Sequence, residues 1–141
     1  MSTDAENIDI AKQGIEAFNN GDWDAVRAVF TPNATYNEVG TGRLITGTDG
    51  IVEALQGWKT AFPDVKGTVT NAFASGDQVS LEISWKGTHT GPLETPSGTI
   101  EASGKEQTTP ALMTVIIEGD KIAEQRHYFD MLTLLTQIGA A

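Results

Sequence analysis

The first half of the chain carries apolar residues at helical spacing. One set recurs at steps of three and four residues and predicts a first helix: Ile8, Ala11, Ile15 and Phe18. The Asn-Asn-Gly run after it ends this helix, and Asp22 can cap a short second one. Thr31-Pro32 forces the backbone to become extended directly afterwards. A third helix, which ends at Pro63, is predicted by a further set: Ile51, Leu55, Trp58 and Phe62.

After the third helix the hydrophobic pattern changes to a period of two. In residues 77–89 the odd positions from Val79 to Trp85 are apolar and alternate with polar residues, which is typical of a strand with one buried face. Further strands are predicted over residues 34–39, 66–75, 110–118 and 121–129. Gly119-Asp120 is a plausible tight turn between the last two strands, and an apolar, helix-like tail follows Asp130.

The order of these elements is helix, helix, strand, helix and then a meander of four strands. Helices collected before a run of strands predict an α+β fold in which a curved antiparallel sheet closes over the helices. A chain of 141 residues, 39% of them hydrophobic, is expected to form one domain over residues 1–141 that can bury a core or line a cavity.

Residues 90–109 form an irregular stretch between two predicted strands. A connection of this length without regular structure is uncommon in a compact domain. Two interpretations stay open, an extended hairpin with a flexible tip and a functional lid at the mouth of a pocket.

Charge and composition argue against several classes of function. Nineteen acidic and nine basic residues give a net charge of −10, which repels phosphate backbones and anionic lipid headgroups, so we expect neither nucleic-acid nor membrane binding. The absence of cysteine rules out disulfides and thiolate metal sites. The N-terminal stretch has no basic flank followed by an apolar block, and no run is long enough to span a bilayer. We therefore expect a soluble, cytoplasmic protein.

The two histidines of the chain are predicted to point to the inner face of the sheet. Side chains alternate along a strand, so the apolar face of residues 79–85, when prolonged, carries His89 inward. On the last strand His127 shares a face with Gln125 and Phe129, whereas charged residues occupy the opposite face.

Each histidine has a structural and a functional interpretation. A buried histidine is more often a hydrogen-bonded core residue than a functional one. Two inward histidines beside a glutamine in an apolar lining instead indicate a ligand pocket. The pattern favours function for His127 and leaves both interpretations open for His89.

Asp130 also has two interpretations, because it stands between the last strand and the apolar tail. It can cap a terminal helix, or it can orient His127 and move a proton itself. Further candidates for contacts with a ligand are Tyr36, Glu38, Trp58, Trp85, Gln107, Gln125 and Phe129. A metal site is not expected, because the chain lacks cysteine and the usual spacings of metal-binding histidines.

Four stretches, in this order and spacing, resemble one protein family: AFNNGDWDAV, WKTAFPD, GTHTGPL and IAEQRHYFDMLTLLTQIG. Over nearly its whole length the chain is similar to SnoaL-like polyketide and ester cyclases, a branch of the nuclear-transport-factor-2-like superfamily. The resemblance implies a cone, in which a strongly bent antiparallel sheet wraps around three helices and encloses a deep apolar pocket. A short C-terminal helix follows. It also implies a homodimer formed through the outer face of the sheet.

Founding members of this family are cofactor-free enzymes that close a ring of an aromatic polyketide by aldol condensation, with an aspartate in the pocket as the base. At the position of that aspartate the present chain has His127. Asp130 matches a second aspartate that is widespread in the family, and His89 matches the histidine of a G-x-H-x-G segment. An imidazole can still act as a general base at neutral pH.

Three functions follow from these observations. The first is cofactor-free acid/base chemistry, such as cyclisation or isomerisation, on a small apolar carbonyl compound, with His127, Asp130 and His89 as the catalytic residues. The second is a non-catalytic carrier or sensor of an apolar small molecule. The third is an epoxide hydrolase, which in this superfamily resembles an Asp-Arg-Asp arrangement. It ranks last because Arg126 is predicted to face away from the pocket.

Overall fold

A computed structural model describes residues 3–141 of the chain. Within this range it contains four helices: α1 (Asp4–Asn19), α2 (Trp23–Val29), α3 (Thr48–Ala61) and α4 (Met131–Gln137). Thr3 caps α1 in a capping box with Glu6, and the Asp22 carboxylate accepts the Ala25 amide at the start of α2. None of the helices in the described part of the chain is long and apolar enough to cross a membrane.

The strands form one large sheet and one small hairpin. Six strands make the sheet: β1 (Phe30–Glu38), β2 (Arg43–Thr46), β3 (Lys66–Ser75), β4 (Gln78–Thr88), β7 (Glu106–Glu118) and β8 (Lys121–Phe129). Their order across the sheet is β2-β1-β8-β7-β4-β3. The hairpin consists of β5 (Leu93–Thr95) and β6 (Gly98–Ile100).

The α+β fold class and the meander are confirmed, but the sheet is mixed rather than antiparallel. The meander β3-β4-β7-β8 is antiparallel throughout, whereas β1 lies parallel to β8. This is possible because α3 and the first three strands of the meander lie between β1 and β8 in the chain, which allows the backbone to return in the same direction. The sheet is curved and does not close on itself. Bulges in three of its ladders add to the bend.

Three segments differ from the sequence predictions. β1 begins at Phe30 and not at residue 34, since the extended backbone that Pro32 requires already belongs to the strand. Strand β2 lies in the glycine-rich segment before α3, where no strand was predicted. Part of the stretch 90–109 is the short β5-β6 hairpin, and the rest includes the first residues of β7.

The inner face of the sheet packs against the helices. α1 lies on β3 and β4, and α3 lies on β1. The hairpin is attached to this body through the side chain of Leu93, which is buried in a cluster with Phe62 and Leu134. The space enclosed between the helices, the inner face of the sheet and α4 holds the candidate site.

Candidate functional site

The enclosed space is a small, mostly apolar cavity. Its volume is about 80 Å³, which is enough for several waters. Typical ligand pockets are larger, at about 300 Å³ or more. A ligand of more than a few ring atoms must therefore displace lining side chains. Apart from the Trp58 indole on α3, the polar groups in the lining come from the strands: Tyr36, Trp85, Gln107, Thr109, Gln125 and His127.

His127 points into this cavity, as the strand pattern predicts. It is 8% exposed and lines the cavity beside Phe129, with the two ring centroids 4.9 Å apart. Both of its ring nitrogens have partners. Nδ1 lies 3.0 Å from the Tyr36 hydroxyl, and Nε2 accepts a hydrogen bond of 3.1 Å from the indole nitrogen of Trp85.

These two contacts determine where the imidazole carries its hydrogen. An indole N–H can only donate, so Nε2 must be the acceptor and therefore has no hydrogen of its own. The neutral ring then carries its hydrogen on Nδ1, which donates to the oxygen of Tyr36. Because that oxygen accepts from His127, the hydroxyl hydrogen of Tyr36 is directed to another acceptor.

Burial keeps both members of this pair uncharged. Removal from water lowers the pKa of His127 to about 4, against the smaller opposing effect of the Glu38 charge. Burial also raises the pKa of Tyr36 well above its ordinary value, and the charge and hydrogen bonding of Glu38 raise it further. At neutral pH the cavity thus contains a neutral imidazole and a neutral phenol.

Glu38 lies behind the cavity wall and does not line the cavity, which corrects its prediction as a ligand contact. It is fully buried, and its carboxylate accepts hydrogen bonds from Thr41, Arg43 and Trp58. Burial alone raises its pKa, but these hydrogen bonds and the charge of Arg43 outweigh burial and lower the pKa below its ordinary value. Glu38 is therefore a buried, ionised residue that holds the side chains of Thr41, Arg43 and Trp58 in place.

Gln107 and Gln125 line the cavity, which leaves their role as polar contacts of a ligand a prediction. Gln107 accepts a hydrogen bond of 2.6 Å from Thr109, whose hydroxyl also accepts from Gln137 at 3.3 Å. The side-chain amide of Gln125 has no hydrogen-bond partner within residues 3–141, although the residue is 6% exposed. A ligand carbonyl in the cavity could use this amide as a donor.

The aromatic candidates Trp58, Trp85 and Phe129 also line the cavity. The indole nitrogen of Trp58 donates to the Glu38 carboxylate at 2.9 Å, which holds the ring edge-on to Phe129. Trp58 also borders a surface cleft of about 650 Å³ between α3 and the β5-β6 hairpin. Its side chain therefore separates the cavity from this cleft.

Asp130 is not part of the site, so its prediction as a catalytic residue is corrected. The residue is exposed, and its carboxylate accepts the Leu132 amide and the Thr133 hydroxyl at the start of α4. These hydrogen bonds, that of Thr133 above all, lower its pKa below the ordinary value. The helix-capping interpretation of the sequence accounts for this aspartate.

His89 is buried as predicted, but it does not line the cavity. Its ring packs on Phe62, with centroids 5.3 Å apart, and Nδ1 accepts the Ser103 amide at 3.2 Å. Its backbone also bonds to Gly104 and Lys105. Burial lowers the pKa of the ring. His89 thus joins the two ends of the segment that carries the β5-β6 hairpin, because it follows β4 and bonds to residues 103–105 before β7.

Several lining residues carry no sequence signal for a pocket. Apolar side chains of α1 and α2, among them Ile15 and Val26, line the cavity, but their spacing in the sequence predicts only the buried face of a helix. Thr109 was missed although it lies two residues after Gln107 on the same face of β7, which is the one pattern that pointed to it. Within residues 3–141, no three His, Asp or Glu side chains are grouped so that they could hold a metal ion.

Comparison with known proteins places the chain in a family. Its fold is similar to that of a proposed SnoaL-like polyketide cyclase from Jannaschia sp. CCS1, with a TM-score of 0.88 and 19% identity over 100% of this chain and 96% of that one. IdmH of Streptomyces antibioticus, a proposed polyketide cyclase, gives a TM-score of 0.80 and 26% identity over 94% and 98% of the two chains.

An LEH-like epoxide hydrolase from M. tuberculosis shares the fold at a TM-score of 0.74, with 18% identity over 96% of this chain and 90% of that one. Among proteins with curated descriptions, the chain matches none. The family model described as SnoaL-like polyketide cyclase matches residues 8–138. The chain therefore belongs to the SnoaL-like polyketide cyclase family.

Proposed function

We propose that the protein is a cofactor-free enzyme that performs acid/base chemistry on a small, largely apolar carbonyl compound. The observation that carries this proposal is the neutral imidazole of His127 in an apolar cavity, with its lone pair on Nε2. Family membership supports the reaction class, since the family is named for polyketide cyclases. Cyclisation and isomerisation both begin with removal of a proton next to a carbonyl group.

His127 is the proposed base. The substrate lies in the cavity with its carbonyl oxygen near the amide of Gln125, and its α-proton moves to Nε2 of His127. For this step the Trp85 indole must leave Nε2, and its N–H then becomes a donor that can stabilise the enolate oxygen. A positioned general base contributes about 100-fold to 10,000-fold in rate.

A second candidate function is a carrier or sensor of an apolar molecule. One observation favours it, because both ring nitrogens of His127 have partners within the protein, as in a structural histidine. The epoxide-hydrolase alternative remains last. Arg126 is half-buried on the opposite face of β8 from His127, where it pairs with Glu124 at 3.8 Å.

Hydrogen exchange in a model ketone distinguishes the proposed enzyme from the proposed carrier. We expect the protein to catalyse exchange of the α-hydrogens of 2-tetralone, an apolar bicyclic ketone, in D2O, measured by NMR spectroscopy. His127→Ala is expected to lower the exchange rate at least about 100-fold. Asp130→Asn, which keeps a helix-capping side chain, is expected to exchange at the wild-type rate.

Two outcomes would contradict the proposal that the protein is an enzyme. Equal exchange by His127→Ala and the wild type would remove His127 from the reaction. Binding of 2-tetralone by both proteins, without exchange above the buffer rate in either, would support the carrier instead.

We also propose a homodimer through the outer face of the sheet. Leu112 and Tyr128 are neighbours across β7 and β8, and both are about two-fifths exposed on this face. Phe73 on β3 adds a further exposed aromatic ring to the sheet. Exposed apolar groups of this kind are typical of surfaces that another chain covers.

Substitution of Leu112 is expected to dissociate this dimer. Leu112→Glu places a charge in the covered surface and should give a monomer in sedimentation-velocity experiments. Leu132→Glu is the matched control, since Leu132 is also exposed but lies on α4. A wild-type chain that sediments as a monomer, or a Leu112→Glu variant that stays dimeric, would contradict the proposal.

A further inference from the structure

We propose that Glu38 is a positioning residue for His127: it acts through Tyr36 to hold the imidazole in place and to stabilise the positive charge that the ring gains when it takes up a proton. This inference rests on the proposed role of His127 as the base. It gives Glu38 a function that its position outside the cavity does not reveal.

The Glu38 carboxylate is fixed in position and in charge. The residue has no exposed surface, and Arg43 donates to Oε1 from Nε at 3.0 Å and from Nη2 at 2.8 Å. Trp58 donates to the other oxygen, and Thr41 donates to Oε1. Such a set of donors stabilises the ionised form. Because the carboxylate does not line the cavity, it must act on a substrate through another residue.

The register of two strands places Tyr36 between Glu38 and His127. β1 and β8 are parallel, with Glu38 opposite His127 and Tyr36 opposite Gln125. Tyr36 and Glu38 are two residues apart on one strand, so both side chains project to the inner face. The Tyr36 oxygen accepts the hydrogen of His127 Nδ1, so its own hydroxyl hydrogen is free to turn towards Glu38 on the same face of β1. The charge of Glu38 is close enough to raise the pKa of Tyr36, after the larger effect of burial.

The charge of Glu38 also acts on the imidazole. The titratable groups that act on the ring are Glu38 and Tyr36 of β1, and Arg43 of β2 pairs with Glu38. The partner of His127 on β4 is the uncharged Trp85, and its neighbour on β7 is Met113. An imidazolium in an apolar cavity is unfavourable, and the negative charge of Glu38 opposes this penalty. An oriented carboxylate is therefore able to make His127 a stronger base.

The simpler alternative is that Glu38 only holds Trp58 and the turn between β1 and β2. NMR spectroscopy of the full chain with 15N-labelled histidine separates the two roles, because it follows the protonation of His127 directly. Glu38→Gln keeps the size and an acceptor oxygen but removes the charge. Tyr36→Phe keeps the ring but removes the hydroxyl bridge. Trp58→Phe is the control, since it removes a different hydrogen bond to Glu38.

We expect the titration midpoint of His127 to fall by about half a pH unit or more in Glu38→Gln, which is about a threefold loss of proton affinity. Tyr36→Phe should lower the midpoint and shift the Nδ1 resonance. Trp58→Phe removes one donor to Glu38 but keeps the Glu38 charge and the Tyr36 hydroxyl, so it should lower the midpoint by less than Glu38→Gln does. His89 provides an internal reference in every sample. In the exchange assay, Glu38→Gln should lower the maximal rate and leave the KM for 2-tetralone nearly unchanged.

A His127 midpoint that is the same in the wild type, Glu38→Gln and Tyr36→Phe would overturn the inference. The same holds if Trp58→Phe lowers the midpoint as much as Glu38→Gln does, because the effect would then be structural. The NMR measurement needs no turnover. An unchanged midpoint therefore contradicts this inference alone, whereas absence of exchange contradicts the proposed enzyme.

Discussion

Replacement of Glu38 by alanine is expected to lower the free energy of unfolding by about 3 kcal/mol. The substitution removes a fully buried carboxylate that accepts hydrogen bonds from Thr41, Arg43 and Trp58. It leaves the Trp58 indole nitrogen without its acceptor and leaves a cavity in place of the side chain. Part of the loss is recovered because Arg43 is 42% exposed at its side chain and can turn to water.

Urea denaturation at pH 7 measures this loss. Glu124→Ala is the matched control, since Glu124 is an exposed glutamate that pairs with Arg126 on the outer face. Exposed ion pairs contribute about 1 kcal/mol or less, so the control should unfold close to the wild type. Equal free energies of unfolding for Glu38→Ala and Glu124→Ala would contradict the prediction, because buried Glu38 would then stabilise the fold no more than an exposed ion pair does.

The second large effect is a loss of stability in mild acid. His127 has a pKa of about 4 in the folded chain and an ordinary value of 6.5 when unfolded. Between these values the unfolded chain binds more protons than the folded one, so stability falls as the pH decreases from 6.5 towards 4. The difference between the two pKa values corresponds to roughly 3 kcal/mol.

A non-titrating variant identifies the contribution of His127. In His127→Gln the free energy of unfolding should depend less on pH between 6.5 and 4, whatever its value at pH 7. His89 has a lowered pKa as well and accounts for part of the remaining slope. Carboxylates with lowered pKa values, such as Glu38 and Asp130, lose their contribution to stability as the pH falls below their ordinary values of 4.5 and 3.8, at the lower end of this range and beyond it. A slope that is the same in both proteins would place the His127 ring in contact with water.

The sequence allowed correct prediction where a local pattern decides the outcome. The period of two in β8 placed His127 on the inner face, and the capping position of Asp130 before an apolar run was a correct interpretation. His89 was also correctly predicted to be buried. Its prediction as a site residue failed because it follows the end of β4, where the chain turns into the segment that His89 fastens.

The remaining features depend on contacts between distant residues. The parallel pairing of β1 with β8 brings Tyr36 to His127, which lies 91 residues further along the chain. No local pattern encodes this register. Glu38 was taken as a ligand contact because its partner Arg43 belongs to β2, a strand that the glycine-rich segment did not predict. The small size of the cavity likewise results from side chains of every element.

The pH dependence of 2-tetralone exchange tests the role of His127 most directly. If the buried imidazole is the base, the rate should stay nearly constant from pH 8 to about pH 5. It should fall only as the ring becomes protonated, with a midpoint near its pKa of about 4. Circular dichroism at each pH confirms that the chain remains folded. A midpoint near 6.5 would contradict the account, because that value belongs to an imidazole in water.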